Sequence, residues 1–346
     1  MSSTPAPVSR LAPAVLDRAR DLVAPVLRKA VARLHPEVRR VAEYHMGWRE
    51  ADGSPASADT GKGVRPALAL LSAEAAGAGG AVSLPGGAAV ELVHNFSLLH
   101  DDVMDGDHQR RHRATAWTVF GVGAAIIAGD ALHTLAHQLL LEVPGKEGRR
   151  AAAALAQATS AMIAGQADDM AFEAEDAAAV GLEGCLAMEA AKTGAILACA
   201  SSIGAILAGA PPAAVEALHD YGLHLGQSFQ AVDDLLGIWG DPARTGKPVA
   251  SDLRQHKKSL PVVAALATPE GQASELPRLL AADHLDEEGL ARAADLLDSC
   301  GGRQRTLEEA GRHLDAALAA LGRADLAEAA VVELTTLARF VTDRER

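Results

Sequence analysis

Residues 88–105 read AAVELVHNFSLLHDDVMD, an apolar run with helical spacing that ends in three aspartates. On a helix, Asp101 and Asp105 share a face, and Asp102 lies about 100° away around the axis. Three carboxylates at one helix end repel each other, and a hard cation such as magnesium, which bridges carboxylates to phosphates, offsets that repulsion. The stretch predicts a buried helix with a metal-binding end, although a solvated acidic helix end fits an isolated motif of this kind equally well.

Helix-forming residues dominate the rest of the chain, and turn residues cluster between the helical runs. The expected helices cover residues 11–34, a stretch after Pro66, 88–105, 122–142, 149–173, 182–209, 212–238, 258–267, 287–299, 304–320 and about 324–342. Loops are expected at 50–61, 76–87, 143–146, 210–212 and 240–248. We find no strand pair and no fixed-period repeat. The sequence therefore predicts one all-α domain over residues 11–346 after a disordered leader at 1–10.

Composition and charge limit the function classes. The chain has 32 basic and 45 acidic residues, a formal net charge of −13, which argues against nucleic acid as a partner. Cys185, Cys199 and Cys300 match no metal-binding spacing and indicate buried thiols in a reducing compartment, which predicts a cytoplasmic protein. Residues 194–210 carry no charge, but 17 residues fall short of the roughly 20 that span a bilayer. We expect a buried helix there and no transmembrane segment.

A second acidic motif repeats the theme of the first. Residues 229–234 read FQAVDD, so an apolar helical run again delivers two aspartates, Asp233 and Asp234. A Gly- and Pro-rich segment with several cations follows, as Arg110, Arg111 and Arg113 follow the first motif. Arginine grips phosphate bidentately while metals hold its other oxygens. Face to face, the two motifs would hold a cluster of metal ions around one diphosphate.

Isolated cations stand outside both motifs. Lys192 interrupts an apolar helix in the sequence AKTG, and Lys62 and Arg65 lie in GKGVRP, where a loop enters a helix. Each one alone is most simply a surface side chain whose charged end reaches water. Beside two metal-binding motifs, they become candidates for binding substrate phosphates.

Taken together, these motifs resemble those of the trans-type isoprenyl diphosphate synthases. The matching elements lie between residues 61 and 261 and are GKxxRP (61–66), HNFSLLHDDVMD (94–105), RR (110–111), AGDAL (128–132), GQ (165–166), KTG (192–194), FQxxDDLL (229–236) and GDxxxTGKPxxxDLRxxKKSLP (240–261). The resemblance implies the isoprenoid synthase fold, a bundle of long helices around a central apolar cavity, and a homodimer. It also implies magnesium as the cofactor, with three ions per active site.

The resemblance also implies an activity, the head-to-tail condensation of isopentenyl diphosphate with dimethylallyl, geranyl or farnesyl diphosphate to a trans product. The metal ligands would be Asp101, Asp105 and Asp233, supported by Asp102 and Asp234. The allylic diphosphate would bind Arg110, Lys192 and Lys247. Isopentenyl diphosphate would bind Lys62, Arg65, His94 and Arg111. Thr193 and Gln230 would direct their dipoles at the developing allylic cation.

Two positions refine this expectation. Gly237 stands where the second motif of the family often has a third aspartate, and Asp241 would compensate for the loss if its helix continued that far. Phe96 lies five residues before the first motif, a position where an aromatic residue in this family accompanies a twenty-carbon product. Phe96 would then be the floor of the cavity, while ordinary core packing explains it equally well. We expect geranylgeranyl diphosphate as the product, with farnesyl diphosphate as the alternative.

Other functions fit the sequence less well. A class I terpene cyclase on the same fold ionises its substrate with the same metals but has no use for a second, isopentenyl site. A non-catalytic subunit could lose Asp101, Asp102 or Lys247, which this chain keeps. His133 and His137 have the spacing of a metal pair on one helix face, but no third ligand is evident, and we interpret them as surface or packing residues.

Overall fold

The computed structural model describes residues 8–56, 61, 63–173, 175, 177–241, 249–282 and 284–343, without the side chains of residues 8–11 and 178. Of the expected leader, residues 1–7 lie outside this description, and the first helix begins at Val8. The α-helices are α1 (Val8–Val31), α2 (Pro36–His45), α3 (Val64–Ala75), α4 (Leu84–Met104), α5 (Ala116–Phe120), α6 (Val122–Leu141), α7 (Lys146–Glu173), α8 (Ala177–Glu189), α9 (Ala195–Leu207), α10 (Pro212–Trp239), α11 (Ser251–Arg254), α12 (Leu260–Leu266), α13 (Pro269–Ala273), α14 (Leu276–Leu280), α15 (Glu287–Ser299), α16 (Gly302–Leu321) and α17 (Glu328–Thr342). The expected all-α fold is confirmed.

The helices form two compact units. The first comprises the described residues up to Thr159, together with Cys199–His219 and Leu321–Leu337, and the second comprises Ser160–Ala198, Asp220–Ala320 and the described residues from Ala338. That the whole chain is one domain stays a prediction.

In the first unit, α4 packs along α6 and α3, and small side chains set the close spacing. Ala88 and Ala89 on α4 are fully buried, as are Ala125 and Ala128 on α6. The backbone of α9 at Gly204 lies against α3, where Ser72 Oγ accepts the Gly204 N–H at 3.1 Å. This core carries the first acidic motif at the end of α4.

In the second unit, α12 packs on α8, and the apolar faces of α11, α14 and α15 complete one core cluster. Polar groups join the helices too. Ser228 Oγ donates to the Ala310 carbonyl at 2.8 Å, which links α10 to α16. The second acidic motif lies further along the same α10 helix.

The expectation that the chain has no strand pair is wrong. Gln109–Arg110 (β1) pairs antiparallel with Arg113–Ala114 (β2), and the turn residues Arg111 and His112 have φ values of 50° and 61°. Two consecutive positive φ angles are the geometry of a tight hairpin turn, and they are strained in residues other than glycine, asparagine or aspartate. Because the turn lacks the usual Asn-Gly signal, sequence patterns do not reveal it.

The long helical stretch at 182–209 is also interrupted. Gly181 has φ 66° and ψ 162°, which kinks α8, and Ala190–Gly194 form a π-helical turn between α8 and α9. π-helical turns commonly mark functional positions, and this one contains Lys192 and Thr193.

Two stretches in the described part of the chain are long and apolar enough to span a membrane by length and composition. They are Val122–Leu141, with 44% of its apolar window buried, and Ala179–Leu207, with 72% buried. The burial of the second agrees with the expected core helix. The first exposes several large apolar side chains, of which Ile127 and Leu141 are 57% and 61% exposed.

We predict that Gly204→Ala destabilises the protein, because the new Cβ would lie 2.5 Å from Ser72 Oγ and 2.9 Å from Ala73 N. Overpacking of this kind costs about 1–3 kcal/mol in the free energy of unfolding. Gly311→Ala on α16 is the matched control, since no atom lies within 4 Å of its added Cβ. That variant should be about 0.5–1 kcal/mol more stable than wild type. Denaturant unfolding measures both, and equal effects would contradict the packing argument.

Candidate active site

The first acidic motif divides its three carboxylates between two environments. Asp102 is 1% exposed, while Asp101 is half-buried and Asp105, the residue after α4, is exposed. Asp102 Oδ1 accepts a hydrogen bond from Arg110 Nε at 2.6 Å, and the buried Asp102 Oδ2 has no hydrogen-bond partner in the part of the chain that the structure describes. Burial raises the pKa of Asp102, and Arg110 opposes that rise. Asp101 and Asp105 are therefore the more exposed carboxylates of the motif, and Asp102 holds Arg110.

The β1–β2 hairpin presents the arginines that follow the motif. Arg113 donates to the Tyr44 carbonyl at 3.1 Å and stacks on the Tyr44 ring, with Cζ 4.5 Å from its centroid. Tyr44 Oη donates to the Ala114 carbonyl at 2.8 Å, so Arg113 and Tyr44 fasten the hairpin to α2. Arg113 is therefore structural, whereas the strained turn at Arg111 holds that side chain close to the loop at Gly61. A Cβ on Gly61 would lie 2.9 Å from Arg111 Nη2.

Two histidines lie in the field of these arginines. Burial lowers the pKa of His94 well below its ordinary value, and Arg65, Arg111 and Arg110 lower it further. Burial, followed by Arg110 and Arg111, lowers the pKa of His45 to about 3. Both imidazoles are neutral near pH 7 because burial disfavours their charged form and the nearby arginines add positive charge. This cluster, which we call the arginine–histidine cluster (His45, Arg65, His94, Arg110 and Arg111), suits a multiply charged anion.

Glu91 is an acidic residue close to the arginine–histidine cluster. Burial raises the pKa of Glu91. The charge of Arg65 lowers it, as does, to a smaller extent, the hydrogen bond that Asn95 donates to Glu91. Lys62, which the sequence assigned to the same substrate, lies outside the described residues, as does Lys247.

The second unit brings the predicted polarising residues together. Thr193 Oγ1 donates to Gln230 Oε1 at 2.8 Å, and Gln230 Nε2 donates to Asp234 Oδ1 at 2.8 Å. Asp234 Oδ2 accepts the Leu260 N–H at 2.8 Å, so both carboxylate oxygens bond within the protein. Burial, followed by the charge of Asp252, raises the pKa of Asp234 to about 6. Asp234 is thus an inward, positioning carboxylate, as Asp102 is, while Asp233 is half-buried.

Lys192 has a partner that the sequence did not suggest. Its Nζ lies 2.5 Å from Asp169 Oδ2 on α7, and each side chain is about one-quarter exposed. Gly165, one turn earlier on α7, permits this approach, because a Cβ there would overlap the Lys192 backbone. Gly165 and Asp169 both lie in the sequence GQADD at 165–169, but nothing in the sequence pairs Asp169 with Lys192.

Other residues near the second motif were also missed. Glu189 is 3% exposed, and burial followed by the charge of Asp234 raises its pKa well above the ordinary value. Asp252 is 7% exposed and lies against Gly237. Asp241 does not extend the motif, because α10 ends at Trp239.

The carboxylates of the two acidic motifs do not provide enough ligands to bind magnesium without water or substrate. Among the residues that the structure describes, no three His, Cys, Asp or Glu side chains stand close enough to hold a metal ion alone. Magnesium is commonly bound by one or two carboxylates, with waters and substrate phosphates completing its octahedral shell. Outward carboxylates at Asp101, Asp105 and Asp233 fit that mode. The two motifs lie in different units, and their facing each other stays a prediction.

We predict that binding of isopentenyl diphosphate takes up protons. Burial, the main cause of the low pKa of His94, persists in the complex, but a bound diphosphate offsets the arginine field, so the pKa of His94 rises on binding and the complex holds more of this proton than the free protein does. Calorimetry in buffers of different ionisation enthalpy measures the uptake per bound molecule. His94→Gln should reduce it, and His35→Gln, a change at the N-cap of α2, should not. Equal uptake by wild type and His94→Gln would remove His94 from this role.

Packed helices that carry aspartates at two helix ends, together with a cationic cluster, are the arrangement expected of an enzyme that acts on diphosphate substrates. The sequence profile described as polyprenyl synthetase matches residues 55–297. The chain belongs to the polyprenyl synthetase family and is a prenyltransferase, which confirms the resemblance found in its motifs.

Relatives in this family have two different products. The (2E,6E)-farnesyl diphosphate synthase of Mycobacterium tuberculosis is 44% identical over 339 residues, which cover 96% of this chain and 93% of the relative. The geranylgeranyl diphosphate synthase of the same species is 42% identical over 323 residues, which cover 93% of this chain and 91% of the relative.

Solved structures share the fold. The polyprenyl synthetase of Streptomyces coelicolor A3(2) is 53% identical, with a TM-score of 0.92 over 95% of this chain and 99% of the relative. The polyprenyl synthase of Caulobacter crescentus CB15, solved with calcium and isoprenyl diphosphate, is 30% identical, with a TM-score of 0.82 over 100% of both chains.

Proposed function

We propose that this protein is a magnesium-dependent trans-prenyl diphosphate synthase that adds isopentenyl diphosphate head-to-tail to an allylic diphosphate. The observation that carries the proposal is the arginine–histidine cluster. Its arginines act on two half-buried, neutral imidazoles. A terpene cyclase needs only one diphosphate site, so a second site for an anion favours condensation of two substrates.

The donor residues are assigned by their exposure. Asp101, Asp105 and Asp233 would hold magnesium, and Asp102 and Asp234 would position them and their neighbours. When bound, the metal supplies positive charge that stabilises the departing diphosphate. The calcium and isoprenyl diphosphate in the Caulobacter relative support a divalent ion at this type of site. Three ions per active site remain part of the proposal.

The remaining side chains bind and orient. Arg110, Lys192 and Lys247 would bind the allylic diphosphate, and Lys62, Arg65, His94 and Arg111 would bind isopentenyl diphosphate. Asp234 fixes the Gln230 amide through its NH2 group, and Thr193 fixes its carbonyl, so the Gln230 dipole has one orientation. An oriented dipole stabilises a developing allylic cation without reorganisation. Removal of a proton completes the condensation, and the released diphosphate is its base, so we name no side chain for that step.

The assembly and compartment belong to the same proposal. The exposed apolar residues of α6, among them Val122, Ile126 and Ile127, form a face that a second copy of this chain would cover in a homodimer. Cys185, Cys199 and Cys300 are all free thiols, which favours the cytoplasm.

Incubation with isopentenyl diphosphate, each allylic primer in turn and magnesium tests the activity. We expect dephosphorylation to give a linear alcohol, geranylgeraniol, and we expect Asp101→Asn and Asp105→Asn to reduce turnover by at least about a hundredfold, because an outward metal donor is lost. A linear fifteen-carbon alcohol would instead assign farnesyl diphosphate synthase. A cyclic hydrocarbon formed without isopentenyl diphosphate would overturn the synthase assignment in favour of a class I terpene cyclase.

Phe96 is the proposed floor of the chain-binding cavity. The side chain is 9% exposed, and its ring lies 4.9 Å from that of His100 and 5.1 Å from that of His133. His137 continues the row, 4.8 Å from His133. Gly129 makes room for this row, since a Cβ there would overlap the His100 ring. Four rings from α4 and α6, in edge-to-face or tilted contact, therefore form one continuous row.

We predict that Phe96→Ala lengthens the product by one or more five-carbon units, because removal of the ring opens space below the growing chain. Product chromatography measures the chain length, and Phe340→Ala, at an exposed position on α17, is the control. An unchanged product profile for Phe96→Ala would assign Phe96 to ordinary core packing.

A further inference from the structure

Asp169 on α7 forms an ion pair with Lys192, a residue that the proposed function assigns to the allylic diphosphate. The Lys192 Nζ atom lies 2.5 Å from Asp169 Oδ2. Gly165, one helical turn earlier on the same face of α7, allows the two segments to approach this closely, because a Cβ there would lie 2.9 Å from Lys192 Cα. The backbone contact and the ion pair therefore hold Lys192 against α7 at two points.

The π-helical turn that carries Lys192 is also fixed to a second helix. Thr193 Oγ1 donates to Gln230 Oε1 at 2.8 Å, which links the turn to α10. The backbone at Lys192 is thus held by the contact at Gly165 and by the next residue, whichever side chain occupies position 169. What Asp169 adds is the direction of the Lys192 side chain, whose flexible four-carbon stem has several rotamers to choose from.

The ion pair lies where a ligand can reach it. The Lys192 and Asp169 side chains are 26% and 25% exposed. A partly exposed pair of this kind contributes little to stability, so stability alone is a weak reason for its presence. An ammonium group has three N–H donors and no acceptor. Asp169 accepts from one of them, and the other two remain for the oxygen atoms of a phosphate group.

We propose that Asp169 is a positioning residue for the allylic diphosphate, because it holds the Lys192 ammonium group in one orientation before the substrate binds. A side chain that is ordered in advance loses less conformational entropy when the ligand arrives. The negative charge of Asp169 also repels a diphosphate, so its value lies in the hydrogen bond and not in the charge. The inference rests on the proposed function.

Two substitutions separate the charge of Asp169 from its hydrogen bond. Asp169→Asn and Asp169→Ala both remove the negative charge, but only asparagine keeps an oxygen acceptor for Lys192 Nζ. We expect kcat/KM for the allylic diphosphate to be about tenfold lower in Asp169→Ala than in Asp169→Asn, the effect of one hydrogen bond to a charged group. Asp168→Ala, at the exposed neighbouring aspartate, is the control for the loss of a charge and should match wild type. Equal values for the two Asp169 variants would overturn the proposal.

The same comparison in the Lys192→Ala background tests whether Asp169 acts through Lys192. The difference between alanine and asparagine at position 169 should disappear there, because the group to be oriented is absent. A difference of the same size in both backgrounds would show a role independent of Lys192 and would contradict the proposal.

Binding of inorganic diphosphate with Mg²⁺, measured by calorimetry, repeats the comparison without catalysis. Asp169→Ala should bind diphosphate about tenfold more weakly than Asp169→Asn, for the same physical reason. If wild type forms no linear prenyl product but this difference is found, the proposed function fails and the positioning role stands. If the product forms and the two variants bind diphosphate equally, the positioning role fails and the proposed function stands.

Discussion

The hydrogen bond from Arg110 Nε to the buried Asp102 carboxylate, 2.6 Å long, is the interaction on which the rest of the first unit depends. It joins the end of α4 to the β1–β2 hairpin, and the hairpin in turn places Arg111 in its strained turn conformation. A buried carboxylate without this partner would be expensive. The bond therefore fixes the position of the Arg110 guanidinium group relative to the acidic end of α4.

The two units differ in the charges that surround their ionisable side chains. In the first, the positive charges are permanent guanidinium groups, and the nearby His45 and His94 remain neutral, so the cluster is ready for an anion. In the second, carboxyl groups accumulate at the end of α10, and burial raises the pKa of Asp234 and Glu189. The arginines of the first unit favour an anion, whereas the buried carboxyl groups of the second unit keep their protons to higher pH than usual.

Much of this arrangement could be predicted from the sequence. The long helices follow from their apolar spacing, and helices such as α6 and α15 begin and end within a residue of expectation. The outward donors Asp101 and Asp105 follow from helical geometry. What the sequence could not give were contacts made across long separations. The hairpin at residues 109–114 has no turn signal, and the partners Asp169 and Asp252 depend on where other helices pass. The contact between Gly237 and the Asp252 carboxylate is another example, since the two residues lie on different helices.

The π-helical turn at Ala190–Gly194 has a consequence for the register of the second unit. A π turn is an α-helix with one residue inserted, and it rotates everything after it by about 100°. Lys192 and Thr193, although adjacent, thereby reach two different helices, α7 through Asp169 and α10 through Gln230. Deletion of one residue from this turn would rotate the segment on one side of it by about 100° relative to the other side and would disturb the alignment of these contacts. The π-helical turn thus sets the helical register in which Lys192 contacts Asp169 and Thr193 contacts Gln230.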